Sequence, residues 1–128
     1  MTMLAGTHPI DWFDIPTLDL ERAHRFYAAV FDIEMQPFDV GDLRFVFFPM
    51  EEGAANATGA LVHHPTMYTP SHAGALLYFS VDDIDAVVAR VEANGGRLFR
   101  GKTAIGEFGF VAFLEDTEGN RVGLHSKT

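Results

Sequence analysis

Four side chains of this sequence are candidates for acid–base or metal chemistry: Asp14, His63, Glu107 and His125. The chain has six histidines and no cysteine, so thiolate catalysis and cysteine-ligated metal sites are excluded. Two imidazoles and a carboxylate could bind a divalent ion. A carboxylate and an imidazole could instead move a proton next to a carbonyl group. The alternative is that the histidines only form hydrogen bonds at a pocket rim and that Glu107 is an exposed loop carboxylate.

Aromatic residues form a second group that could bind a ligand. Trp12 is the single tryptophan, and it could either stack on a planar ligand or fill the space that a metal would take. In the segment LRFVFFPM, Phe45 and Phe47 alternate with Val46 and Phe48. Because side chains alternate along a strand, one of these pairs is expected to line a cleft and the other to pack under a helix. We place Phe45 and Phe47 in the candidate pocket.

Composition excludes several classes of partner. The formal net charge is -9 and no basic run occurs, which argues against nucleic acid and anionic membranes, because binding to both depends on Lys and Arg. No apolar run approaches the roughly 20 residues of a membrane span. The first residues, MTMLAGTHPIDWFD, lack the pattern of a secretion signal. We therefore expect a cytoplasmic protein.

The two halves of the chain repeat each other. WFDIPTLDLERAHRFYAAVFDI begins at Trp12, and LLYFSVDDIDAVVARVEANGG begins 64 residues later at Leu76. The same offset relates Asp19 to Asp83 and Gly59 to Gly123. This pattern predicts a duplicated unit without a gap.

Each half predicts the order βαβββ. Apolar residues recur at helical spacing after Asp19 and Asp83, which are placed to cap the two helices, and Asn94-Gly95-Gly96 marks the end of the second. The stripes comprise Leu20, Ala23, Phe26, Tyr27 and Val30 in the first helix, and Ile84, Val87, Val88 and Val91 in the second. Strands are predicted at about 34–39, 43–49, 59–64, 97–102, 109–114 and 120–126. The fold class is therefore α+β: one domain, 1–128, built from a module at 8–64 and a module at 73–128, whose mixed sheet curls around a cleft.

This arrangement resembles the vicinal oxygen chelate superfamily, which includes glyoxalase I, bleomycin-resistance proteins and extradiol dioxygenases. The resemblance covers essentially the whole chain and rests on DLERAHRFYAAVFDI, VDDIDAVVARVEANGG and AFLEDTEGNRVGLHS. In the metal-using members, four strand residues that face the cleft chelate a divalent ion. The matching positions here are Trp12, Gly59, Leu76 and Gly123, whose side chains cannot bind a metal. The resemblance therefore implies that the standard metal site is absent, and we expect no cofactor.

The same alignment places other side chains in the cleft, because residues two or four apart in a strand share a face. Asp14 shares a face with Trp12, and Tyr78 shares one with Leu76. His125 should likewise lie beside Gly123. His63 would share a face with Gly59. The predicted ligand pocket comprises Trp12, Asp14, Phe45, Phe47, His63, Tyr78 and Gly123, and the candidate catalytic residues are Glu107 and His125.

Three functions follow as expectations. The first is metal-free binding of a small apolar or aromatic molecule in the cleft, which the likeness to bleomycin-resistance proteins implies. The alternative is a lyase or isomerase that uses Glu107, His125 or Asp14 for proton transfer. The third is an accessory module that acts through a protein partner. Many relatives of this length form homodimers, and we expect the same here.

Overall fold

The computed structural model describes residue 6 and residues 8–128 and contains eight strands and two α-helices. The first half comprises β1 (Trp12–Pro16), α1 (Leu20–Phe31), β2 (Gln36–Val40), β3 (Leu43–Phe47) and β4 (Thr58–His63). The second comprises β5 (Tyr78–Ser80), α2 (Ile84–Val91), β6 (Arg97–Ala104), β7 (Phe110–Glu115) and β8 (Arg121–Ser126). Short 3₁₀ turns lie at Glu92–Asn94 and Gly106–Phe108. In the part of the chain that is described, no helix is long and apolar enough to cross a membrane.

The strands form two separate four-stranded sheets, one from each half. Sheet A has the order β1-β4-β3-β2 and sheet B the order β5-β8-β7-β6. In each, the first pair of strands is parallel and the other pairs are antiparallel. The predicted α+β class, with βαβββ order in both halves, is confirmed, and the mixed sheet is divided in two.

The helices begin where the sequence predicts. The Asp19 carboxylate accepts a hydrogen bond from the backbone N–H of Arg22, and Asp83 does the same for Ala86. These caps satisfy N–H groups that have no partner within the helix. After α2, Gly95 adopts φ 94°, a left-handed conformation that favours glycine and ends the helical segment.

Both helices pack on one face of the sheets, and this side holds the core. Sheet A contributes Ile15, Val46 and Leu61, and sheet B contributes residues such as Leu114 and Leu124. Because side chains alternate, the intervening strand residues point to the opposite side. We call the two sides the helix face and the cleft face.

The prediction of a repeat without a gap is wrong by one residue in the last strand. The Thr17 N–H donates to the Val62 carbonyl, and in the second half the Val81 N–H donates to the His125 carbonyl. Thr17 and Val81 are 64 residues apart, whereas Val62 and His125 are 63 apart. The segment between helix and last strand is thus one residue shorter in the second half. The structural counterpart of Gly123 is therefore Ala60, not Gly59.

A buried carboxylate joins the two halves. Glu118, in the turn between β7 and β8, accepts hydrogen bonds from the N–H groups of Leu18 and Asp19 at 2.8 and 2.7 Å. It also pairs with the guanidinium of Arg22 at 2.7 Å. Burial alone would raise the pKa of Glu118, but the hydrogen bonds from Arg22, Asp19, Thr117 and Leu18 outweigh it and lower that pKa. The turn of the second half thereby holds the start of α1.

Candidate functional site

The cleft face of sheet A carries a continuous aromatic surface. The Trp12 ring meets Phe47 edge-on with centroids 5.5 Å apart. Phe38 stacks on Phe47 at 5.3 Å, and Phe45 lies 6.0 Å from Phe47. Trp12 is 38% exposed and Phe38 is 51% exposed, although both are large and apolar. This surface, formed by Trp12, Phe38, Phe45 and Phe47, offers flat rings on which a planar ligand can stack.

Asp14 fixes the edge of that surface. Its carboxylate accepts one hydrogen bond from the Trp12 indole N–H at 3.0 Å and one from the Tyr68 hydroxyl at 3.1 Å. Burial is the main cause that raises the pKa of the Tyr68 hydroxyl, and the hydrogen bond to Asp14 raises that pKa further, so the hydroxyl remains a donor. The segment between the modules is held again where the Ser71 N–H donates to Asn120. The carboxylate of Asp14 is therefore committed to orienting Trp12 and the intermodule segment.

The cleft face of sheet B is organised around Gly123. Gly123 is the register partner of Tyr78, and a Cβ at position 123 would come within 2.7 Å of the Tyr78 ring. The ring therefore covers the strand where a side chain would otherwise stand. Tyr78 also meets Phe113 edge-on at 5.9 Å. Tyr78 is 51% exposed, so this second aromatic patch is open to solvent.

Two predicted cleft positions lie on the wrong face. Gly59 pairs with Phe13 in the register of β1 and β4, and a Cβ at Gly59 would clash with the Phe13 ring and carbonyl oxygen. Phe13 packs against the core, so Gly59 is on the helix face. His63, four residues further, shares that face, and its Nδ1 lies 3.0 Å from the Thr17 carbonyl oxygen. His63 is therefore not a cleft residue, because the one-residue shift reverses every side chain of β4.

The candidate acid–base residues lie in separate parts of the molecule. The Nε2 atom of His125 is 2.6 Å from the Phe108 carbonyl oxygen, so this nitrogen carries a proton and donates it to that bond. Glu107 precedes Phe108 in an exposed 3₁₀ turn beside sheet B. Asp14 belongs to sheet A. The structure thus brings the turn of Glu107 to His125 but leaves Asp14 on the other sheet.

The side chains at the positions that the resemblance assigns to metal ligands carry no ligating group. Trp12, Leu76 and Gly123 offer none, and Ala60, the true counterpart of Gly123, offers none either. Within residues 6 and 8–128, no group of three or more His, Cys, Asp or Glu side chains could hold a metal ion. The residues present do not fit the divalent ion that the metal-using members of the family bind.

Three residues of the site lack a place in the sequence-based prediction. Phe38 could have been found, because it alternates with Pro37 and Asp39 in β2 and pairs with Phe45. Phe113 could likewise have been assigned from its alternation with Ala112 and Leu114 in β7. Tyr68 had no signal, because its contact with Asp14 joins positions in an irregular segment.

Comparison with known proteins matches this chain to one superfamily. The family model described as Glyoxalase/Bleomycin resistance protein/Dioxygenase superfamily matches residues 9–124. The chain is 31% identical over 121 residues to "Putative glyoxylase CFP32" of Mycobacterium tuberculosis, which covers 89% of this chain. It spans only 44% of that relative's length.

Solved structures share the fold over nearly the full chain. An antibiotic binding protein, TnmS3 from a Streptomyces species, is 27% identical with a TM-score of 0.66, covering 98% of this chain and 99% of its own. A glyoxylase/bleomycin resistance protein/dioxygenase domain from a Frankia species has a TM-score of 0.72 and 17% identity, covering 96% and 98%. The second likeness concerns the fold alone.

Proposed function

We propose, from the premise that this chain belongs to the Glyoxalase/Bleomycin resistance protein/Dioxygenase superfamily, that it binds a small aromatic molecule in its cleft without a metal ion. The observation that carries the proposal is the aromatic surface of Trp12, Phe38, Phe45 and Phe47, in which Trp12 and Phe38 are exposed and the other two rings are half-buried. Isolated exposed apolar residues are ordinary, but a contiguous patch on one face indicates a binding surface. Flat rings favour a planar aromatic ligand.

The polar groups beside this surface suit recognition rather than bond breaking. Asp14 is occupied by Trp12 and Tyr68, and His125 is occupied by the Phe108 carbonyl. Within one chain, Asp14 and His125 also belong to different sheets. The likeness to TnmS3, described as an antibiotic binding protein, supports binding as the activity.

A second copy of the chain would complete the cleft. Sheet A and sheet B are separate, and their cleft faces leave Phe38 and Tyr78 each 51% exposed. Sheet A of one protomer set against sheet B of its partner would bury both patches and enclose the ligand between them. We therefore propose a homodimer with two equivalent clefts.

Binding can be tested with 1-anilinonaphthalene-8-sulfonate, whose own fluorescence rises in an apolar site. We expect saturable binding that Phe38→Ala weakens about tenfold, because this exposed ring supplies much of the stacking area. Leu18→Ala is the matched control, since Leu18 is 64% exposed but lies outside the cleft face. Equal loss of affinity in both variants, or no saturable binding by the unaltered protein, would refute the proposal.

A further inference from the structure

A cavity lies between the loop that joins β3 to β4 and the start of α2, and Tyr78 at the edge of sheet B contributes to its lining. Its volume is about 1020 Å³. Its floor is aromatic and lies on the helix face, where Phe31 and Phe48 approach Phe79 at 4.8 and 5.3 Å and Phe13 approaches it at 5.7 Å. A cavity of this size with an apolar floor can hold a small organic molecule.

The internal repeat shows what fills the corresponding place in the other half. There the turn of residues 116–120 packs on the start of α1, and Glu118 binds the N–H groups of Leu18 and Asp19. The corresponding connection in the first half, residues 48–57, has ten residues instead of five. Its ends are held by the bond from the Thr58 hydroxyl to the Pro49 carbonyl at 2.8 Å. This longer loop stands off α2, and the space between them is the cavity.

The two halves also differ in one positively charged side chain in the first turn of the helix. Arg22 sits in the first turn of α1 with its guanidinium on Glu118 and near Asp19. The residue 64 positions later, in the first turn of α2, is Ala86, which lines the cavity. Asp83 is the counterpart of Asp19, and its carboxylate accepts a hydrogen bond from the backbone N–H of Ala86. The second half therefore keeps the carboxylate and lacks the positive charge.

The rim of the cavity has an excess of negative charge. Glu51 and Glu52 come from the loop, and Asp82 and Asp83 come from the start of α2. Arg90 is the one cationic side chain among the lining residues, and its Nε donates to the Val30 carbonyl at 2.9 Å. Four carboxylates against one guanidinium favour a cationic ligand. Aromatic rings beneath them add attraction for an ammonium group.

We infer that this cavity is a second binding site, for an apolar molecule that carries a protonated amine. The apolar body packs on Phe31, Phe48 and Phe79. The ammonium group lies at the acidic rim, where it supplies the charge that Arg22 supplies in the other half. The inference does not rest on the proposed function, because the cavity is lined by none of Trp12, Phe38, Phe45 and Phe47, which form the aromatic surface of sheet A.

Three ligands of equal length test this site by charge alone: 4-phenylbutylamine, 4-phenylbutan-1-ol and 4-phenylbutyrate. Calorimetric titration of the full chain at low salt is expected to show one amine per chain, bound about tenfold tighter than the alcohol. The carboxylate is expected to bind more weakly than the alcohol. If the amine binds no tighter than the alcohol, or if none of the three saturates, the inference is wrong.

Variants locate the site. Glu51→Gln with Glu52→Gln alters only exposed loop side chains and should weaken amine binding about fivefold while leaving alcohol binding unchanged. Ala86→Arg restores the missing cation and should abolish the preference for the amine. Leu18→Ala, at an exposed residue that lines neither the cavity nor the aromatic surface, is the control and should leave amine binding unchanged. Full amine preference in both charge variants would overturn the assignment.

Amide NMR spectra provide a readout that does not depend on affinity. The amine should shift the backbone signals of Ala86 and Arg90 and leave the Trp12 indole signal in place. A shift confined to Trp12 would instead place the amine in the cleft and refute the second site, whether or not the cleft binds aromatic molecules.

Discussion

The ring of Tyr78 lies over the backbone of Gly123, so closely that a Cβ on Gly123 would come within 2.7 Å of it. Family resemblance assigns position 123 to a metal ligand. Here an aromatic ring from the neighbouring strand takes that space, and it continues to Phe113. The glycine is thus a packing requirement of the aromatic cleft and not merely a lost ligand.

Gly123→Ala should destabilise the fold by about 1–3 kcal/mol, because the new methyl group must displace the Tyr78 ring. Urea unfolding measures this change. The cost should fall when Tyr78→Ala is already present, since the clash is then removed. An equal cost in both backgrounds would show that the ring does not restrict position 123.

Gly59→Ala is the matched comparison on the helix face. A Cβ there would come within 2.1 Å of the Phe13 carbonyl oxygen, which is backbone and cannot rotate away. We therefore expect a larger loss of stability than for Gly123→Ala in the same unfolding experiment. A smaller loss would contradict the register that pairs Gly59 with Phe13.

Replacing Glu118 should uncouple the two halves. Glu118→Gln removes the ion pair with Arg22 and is expected to cost about 1–3 kcal/mol at pH 7, a discounted value because the Arg22 side chain is 42% exposed. The pKa of Glu118 is lower in the folded protein than its ordinary value. The stabilisation is therefore complete above the ordinary glutamate pKa of about 4.3 and is lost as pH falls through the lower folded value.

Unfolding experiments between pH 7 and pH 3 check that dependence. The difference between the unaltered protein and Glu118→Gln should stay constant at higher pH and shrink at the acid end. Asp116, whose pKa is raised mainly by burial, is present in both proteins, so its titration largely cancels. A difference that stays constant over the whole range would contradict an ionised Glu118 in the folded state.

Asp14→Asn should loosen the edge of the aromatic surface. One acceptor oxygen remains for two donors, Trp12 and Tyr68, so about 0.5–1.5 kcal/mol of stability should be lost. Amide hydrogen exchange in residues 66–71 should become faster, and Tyr68→Phe should produce the same acceleration. Unchanged exchange in both variants would show that Asp14 does not hold the intermodule segment.

The proposed dimer predicts that a charge on the cleft face of sheet A weakens the association of the two protomers. Phe38→Lys places a charge on the cleft face of sheet A and should shift sedimentation equilibrium toward monomer, because a buried unpaired charge is costly. Leu18→Lys, at a residue of comparable exposure outside that face, should leave the dimer intact. A protein that is monomeric without any substitution, at concentrations up to about 1 mM, would rule the dimer out.

The sequence was sufficient for the elements but not for the register of the last strand in each half. Caps at Asp19 and Asp83 and the helical stripes are local signals, and both helices begin where these signals place them. Gly59 was misassigned because the shift of one residue arises between helix and strand, where no periodic pattern marks it. His63 followed Gly59 onto the wrong face for the same reason.

The contacts between the two halves also could not be predicted from local sequence patterns. Glu118 reads as an ordinary residue of a TEGN turn, yet it binds Leu18, Asp19 and Arg22 about one hundred residues earlier in the chain. The cavity beside the start of α2 arises because the loop between β3 and β4 is longer than the loop between β7 and β8. That difference in length predicts a cavity only when the position of each loop relative to the start of a helix is known. Long-range placement of this kind depends on tertiary packing and not on the composition of one segment.

One titration tests metal-free aromatic binding most directly: 1-anilinonaphthalene-8-sulfonate added to chelator-stripped protein, with Trp12 emission recorded, and repeated after Ni²⁺, Zn²⁺, Mn²⁺ or Fe²⁺ is supplied. We predict saturable quenching of Trp12 that is the same with and without metal, and no stoichiometric uptake of any of these ions. Binding that begins only when a metal is present, together with stoichiometric metal that is lost in His125→Ala, would contradict the account and point to a displaced metal site.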